Sequence, residues 1–122
     1  FRTERGEEEE APAKEPMNSS MMKRIIREIQ ERYTENITLS GLAEAHGIST
    51  GYLSSQLKAE LGLSFSEYNT SKRIQKAKEL LADESLSVES IAELTGYNDY
   101  FYFIKVFKKN TGISPSKYRK NL

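Results

Sequence analysis

Residues 87 to 119 read Ser87-Val-Glu-Ser-Ile-Ala-Glu-Leu-Thr-Gly96-Tyr-Asn98-Asp-Tyr-Phe101-Tyr-Phe-Ile-Lys-Val-Phe-Lys-Lys-Asn-Thr-Gly112-Ile-Ser114-Pro-Ser-Lys-Tyr-Arg119, and this stretch decides the fold. It breaks into three short helices. The first starts after Ser87, whose hydroxyl suits an N-cap, and stops at Gly96, which can adopt a left-handed conformation. The second is expected to start from Asn98 as its cap and to run to Gly112. The third opens with Ser114-Pro115, a cap followed by a first-turn proline. Helix, tight glycine turn, helix is the outline of a helix-turn-helix.

The middle helix carries the chemistry. With Phe103 at zero and about 100° per residue, Phe103, Val106 and Phe107 share the core side. Phe101, Ile104, Lys105 and Lys108 are expected on the opposite side. A solvent face is normally polar throughout, and this one mixes apolar groups with cations. That mixture suits a DNA major groove, where apolar groups meet thymine methyls and cations meet phosphates or guanine edges. The competing reading packs Phe101 and Ile104 beneath another part of the chain.

Composition removes several function classes. The 122 residues contain no Cys and no Trp, which excludes disulfides and thiolate metal sites and fits a cytoplasmic location. No apolar run reaches the about 18 residues needed to span a membrane. Lys plus Arg and Asp plus Glu balance at 18 each, but unevenly along the chain. Residues 1 to 16 hold six Glu against Arg2, Arg5 and Lys14, a net of −3, so the rest carries +3. From Tyr100 to Leu122 there are six cations and no acid. Local sign steers a polyanion more than the overall sum does.

Residues 1–18, with Glu7 to Glu10 in a row, read as an acidic flexible linker or tail. The missing initiator Met suggests a cut fragment or an expression remnant, and the acidic stretch is a candidate connection to a missing upstream domain. Met22, Ile25, Ile26, Ile29 and Tyr33 recur at helical spacing, in a packing helix capped by Ser19 or Ser20. Thr38 caps a short helix ending at Gly47, and Ser49 caps the next, ending near Gly62. Ser64-Phe-Ser-Glu67 is a capping box for a helix over 65–81, a rod of roughly 25 Å. The expected organisation is all-α: a first helix-turn-helix subdomain over 19–72, the linker helix over 65–81, and a second subdomain over 82–122.

The two halves repeat. Leu42, Ala43, Gly47 and Ser49 match Ile91, Ala92, Gly96 and Asn98 at an offset of 49. Leu53, Leu57, Gly62, Ser64 and Tyr68 match Phe103, Phe107, Gly112, Ser114 and Tyr118 at an offset of 50. One extra residue is therefore expected near the start of the second middle helix. By the second offset the outward face of the first copy is Gly51, Ser54, Ser55 and Lys58, small and weakly charged. Two such helices on one rod could address successive major-groove segments about 34 Å apart.

The run Ile91-Ala92, Gly96-Tyr97-Asn98-Asp99, Tyr102-Phe103, Lys105 to Lys109, Gly112 to Pro115 and Tyr118-Arg119 resembles the DNA-binding domain of AraC/XylS regulators. The likeness covers roughly Met22 to Tyr118, and Arg73-Ile74, Ala77 and Leu80-Leu81 resemble that family's linker helix. It implies seven helices, two helix-turn-helices and promoter binding, behind a ligand-sensing or phosphorylated receiver domain. The second half is most similar to the response-regulator members. Three positions depart from the family: Ser55 and Lys105 stand where Arg is common, and Ile104 where Ser is common.

The candidate base-facing residues are Tyr100, Phe101, Ile104, Lys105, Thr50, Gly51, Ser54 and Ser55. The candidate phosphate contacts are Lys58, Lys108, Lys109, Asn98 and Ser49. Double-stranded DNA is the expected partner, RNA polymerase a further candidate, and dimerisation is assigned to a missing upstream domain. No catalytic residue, cofactor or metal is expected. His46 is the single histidine, metal sites need several ligands, and no glycine-rich phosphate loop is present. The alternative function is a protein-interaction module that docks a partner through the Phe101/Ile104 face.

Overall fold

The computed structural model describes residues 16–122, and these form seven helices with no strand among them. The acidic stretch up to residue 15 lies outside the described residues. In chain order the helices are α1 (Ser19–Arg32), α2 (Leu39–Ala45), α3 (Thr50–Leu61), α4 (Phe65–Leu81), α5 (Val88–Leu94), α6 (Tyr100–Thr111) and α7 (Pro115–Lys120). The all-α, seven-helix reading is what the structure shows. The chain divides into two compact units, with the division inside α4, between Tyr68 and Asn69. The short segment Tyr33–Asn36 belongs to the second unit.

Local chemistry accounts for the helix ends. The hydroxyls of Thr38, Ser49, Ser87 and Ser114 accept the backbone N–H of Gly41, Tyr52, Ser90 and Lys117. Each thereby satisfies one of the donors that a helix start leaves open. Ser64 and Glu67 bond reciprocally at 3.0 and 3.1 Å, as a capping box should. Gly47, Gly62, Gly96 and Gly112 all take positive φ at the helix ends.

Two caps fall elsewhere than expected. Asn18, not Ser19 or Ser20, caps α1, its Oδ1 accepting from Ser20 N–H at 2.8 Å. Asp99, not Asn98, caps α6, its Oδ1 accepting from Tyr102 N–H at 3.1 Å. In both places neighbouring polar residues could all serve, and the length of the preceding segment decides which one is at the cap. The offset between copies follows suit. It is 49 for α2 against α5 and 50 for α3 against α6, with Ser49 and Asp99 as the equivalent caps. The extra residue is thus Asn98, inside the turn and not within the helix.

Each unit has its own core. In the first, Met22, Ile25 and Ile29 of α1 meet Leu42 and Ala43 of α2 and Leu53 and Leu57 of α3. In the second, Ile74, Ala77 and Leu81 of α4 meet Ile91, Ala92, Tyr97, Phe103 and Phe107. Burying each large apolar side chain contributes about 1.5–3 kcal/mol, so these few residues set the stability of such small units. Ala43 and Ala92 are buried at equivalent places, where a larger side chain would push the crossing helices apart. Tyr33 lies past the end of α1 and does not join its apolar stripe.

Candidate nucleic-acid interface

α6 presents its functional side because two phenylalanines fix the opposite one. Phe103 and Phe107 are fully buried, with ring centres 5.9 Å apart, and Phe107 meets Tyr118 of α7 edge-on at 5.6 Å. Turning by about 100° per residue from Phe103, Phe101, Lys105 and Lys108 then point away from the core. Phe101 is 77% exposed, the most exposed large apolar side chain among the described residues. Lys105, Lys108 and Lys109 are exposed. Among the described residues none of these lysines is ion-paired. Lys108 and Lys109 also sit in the last turn of α6, where cations suit the helix dipole.

Two expected members of this face are partly turned inward. Ile104 and Tyr100 are half-buried and pack against the second core. The reason is angular: both lie about 60–100° from Phe103, on the flank of the helix and not opposite its core side. The outward ridge is therefore Phe101 with the lysines, and Ile104 shows it only an edge. Tyr100 touches Phe101 edge-on, ring centres 5.5 Å apart, and so props the exposed ring from the core side. Asn98 is exposed in the turn.

The equivalent face of α3 is flat. Thr50, Gly51, Ser54, Ser55 and Lys58 are all exposed, and a Cβ on Gly51 would meet only open space. Ser49 already spends its hydroxyl on Tyr52 N–H at 3.1 Å. This face can approach a phosphodiester backbone closely, with Lys58 as its only cation.

The second turn is held by groups that local periodicity does not reveal. The Arg73 guanidinium donates from Nε to Tyr33 O at 2.7 Å and from Nη2 to Glu35 O at 2.9 Å. It also lies over the buried Tyr97 ring, 5.1 Å from its centre. Burial pushes the Tyr97 hydroxyl above its ordinary pKa, and the positive charge of Arg73 opposes that. The Tyr97 ring in turn packs 5.4 Å from Phe103 and 6.1 Å from Tyr102. A line of contacts thus runs from Arg73 to the base of α6. Arg73 was legible only as part of the linker-helix resemblance. Tyr102, 56% exposed beside the ridge, is a further candidate that the helical wheel alone did not select.

In the first turn, His46 closes α2 and its Nε2 lies 3.1 Å from Glu28 Oε1. The other Glu28 oxygen accepts from Arg32 at 2.6 Å. The His46 hydrogen bond is the main reason that the Glu28 carboxyl is held below the usual carboxylate range. No group of three or more His, Cys, Asp or Glu that could hold a metal occurs among the described residues.

The family described as "Helix-turn-helix domain" matches residues 42–121. The chain belongs to the AraC-type helix-turn-helix family. This AraC-type chain is 41% identical over 96 residues to YtdP, an uncharacterised HTH-type transcriptional regulator of Bacillus subtilis. That match takes in 79% of this chain and 12% of YtdP. The arabinose operon regulatory protein of Escherichia coli is 33% identical over 84 residues, 69% of this chain and 29% of that protein. Among solved structures, the C-terminal domain of the two-component response regulator yesN from Fusobacterium nucleatum matches with a TM-score of 0.78 and 42% identity. It covers 83% of this chain and 99% of that domain. The chain spans about a third or less of the length of the first curated relatives it matches. The family is one of DNA-binding domains of transcription regulators, not of enzymes.

Proposed function

We propose that this chain is the part of a bacterial transcription regulator that binds double-stranded promoter DNA. Its two helix-turn-helices read successive major-groove segments. In this reading Phe101, Lys105, Ile104 and Tyr100 of the second unit, and Thr50, Gly51, Ser54 and Ser55 of the first, face bases. Lys58, Lys108, Lys109, Asn98 and Ser49 hold phosphates. The observation that carries it is the exposed, unpaired cationic ridge of α6 around Phe101. Cations on a recognition helix position the protein on the backbone, and the groups between them meet base edges.

The likeness to the response-regulator domain supports a two-component system, with an upstream domain supplying dimerisation and the signal, in the cytoplasm. RNA polymerase is a further proposed partner. No helix among the described residues is long and apolar enough to cross a membrane.

Fluorescence anisotropy with labelled duplex DNA at rising salt tests this function. The observed affinity is expected to fall steeply with salt, because each phosphate contact releases condensed counterions. Failure to bind any duplex at low salt, together with salt-insensitive capture of a protein partner, would favour a protein-docking module instead.

A further inference from the structure

We infer that the second unit reads thymine through its C5 methyl group, and that Phe101 is the side chain making the contact. This rests on the DNA-binding reading above and adds what the site recognises.

The inventory of the ridge leads there. The outward side chains of α6 are Phe101, Lys105, Lys108 and Lys109, with Tyr102 beside them. Of the side chains that hydrogen-bond base edges, Arg, Lys, Asn, Gln, Asp and Glu, only Lys stands on this arc. The one Asn of α6, Asn110, gives its amide to Val106 O at 2.8 Å. The Asp99 carboxylate is spent on capping α6. A lysine supplies a mobile point charge, equally at home on a phosphate or a guanine edge. Tyr102 carries a polar hydroxyl and its ring leans on Tyr97, 6.1 Å between centres, so the wholly apolar group of fixed shape on the ridge is Phe101. In the major groove only thymine offers an apolar group, its methyl.

The ring is also preorganised. Tyr100 packs on the second core and meets Phe101 edge-on at 5.5 Å, so one side of the ring is propped before DNA arrives. Ordering lost on binding is correspondingly small. Charge agrees with the placement: the exposed Lys105, Lys108 and Lys109 stand on the same helix as Phe101, so a duplex is drawn to the helix that carries the ring. The smaller Gly51, Ser54 and Ser55 of α3 offer no comparable apolar group.

The test starts from a random duplex pool enriched on the 122-residue chain. The selected duplexes are resynthesised with deoxyuridine in place of thymidine, which removes only the methyl groups. Affinity of the wild type is expected to fall roughly fourfold for each contacted methyl, the worth of one buried carbon. The Phe101→Ala variant is expected to bind the thymidine duplex more weakly and to lose the difference between the two duplexes. Its melting temperature should match the wild type, since the side chain stands in solvent. Equal wild-type affinity for both duplexes overturns the inference while leaving DNA binding intact. So does a Phe101→Ala variant that keeps the full difference. Absence of salt-dependent binding to any duplex overturns the DNA-binding reading itself, and this inference with it.

Discussion

The guanidinium of Arg73 lies 5.1 Å from the centre of the Tyr97 ring and spends two further N–H groups on the carbonyls of Tyr33 and Glu35. One cation therefore ties α4, the turn before α6 and the Tyr33–Asn36 segment into the second unit. Replacing it by Lys keeps the charge and loses the planar fork. Hydrogen bonds from charged groups contribute about 1.5–3 kcal/mol each. Arg73→Lys is expected to cost roughly 1–3 kcal/mol in urea unfolding, and Arg73→Met more. If Arg73→Lys unfolds at the wild-type midpoint, the fork is ornamental.

Gly96 is the neighbour that this arrangement leaves no room to change. Its φ is +99°, and a Cβ there would lie 2.5 Å from Thr34 O, a backbone atom, and 2.9 Å from the Arg73 guanidinium. Gly112 also has positive φ but faces open space. Left-handed strain alone costs about 1–2 kcal/mol. Gly112→Ala is expected to lose about that much, and Gly96→Ala clearly more, because backbone must also move. Equal losses for the two, measured by thermal melting, would mean that the close approach relaxes freely.

Two phenylalanines of α6, two positions apart, should behave as opposites. Phe103→Ala empties a fully buried site and is expected to cost about 3–5 kcal/mol, enough to unfold a unit this small. Phe101→Ala should stay within about 0.5 kcal/mol, as exposed substitutions usually do. A large drop in melting temperature for Phe101→Ala would put its ring in a packed site.

The lysines separate by the readout they change. Lys108→Ala is expected to weaken specific and nonspecific DNA alike and to lower the salt slope by about one. Lys105→Ala, nearer the middle of the ridge, is expected to weaken selected DNA more than random DNA. Anisotropy titrations on both duplexes at several salt concentrations give the four numbers needed. An unchanged slope for Lys108→Ala removes it from the phosphate contacts.

Glu28 gives the first unit a pH dependence. Its carboxyl is held below the ordinary range, first by the His46 hydrogen bond; burial opposes this, and Arg32 adds to the lowering. A depressed folded-state pKa means stability that is complete above the unfolded carboxylate range and is lost as pH falls through the folded value. The stability gap between wild type and Glu28→Gln is expected at about pH 7 and should close towards about pH 2. Urea midpoints at several pH values measure it, and a gap that widens on acidification has the wrong sign.

Much of this was readable along the chain because its signals are local. Caps such as Thr38, Ser87 and Ser114, the turn glycines and the apolar spacing of Phe103 and Phe107 all act within a few residues. The failures have physical causes as well. Asn98 and Asp99 are both able caps, and only the path of the turn selects between them. Ile104 sits on the border of its helix face, where a wheel drawn from one sequence cannot say how far a neighbouring core reaches. Arg73 meets Tyr33 and Glu35 at separations of 40 and 38 residues, beyond any periodicity. The acidic run of Glu7 to Glu10 falls outside the described residues.

Asn98 makes the later bend one residue longer than its counterpart, so the copies are not interchangeable parts. A chimera that transplants α6 into the earlier copy should be spliced at the paired caps, Ser49 and Asp99. Cutting instead at the paired glycines, Gly47 and Gly96, would carry the additional residue along. That would rotate the imported helix by about 100° or force the bend to bulge. Engineers seeking a regulator with two identical reading heads have their junction fixed by that single asparagine.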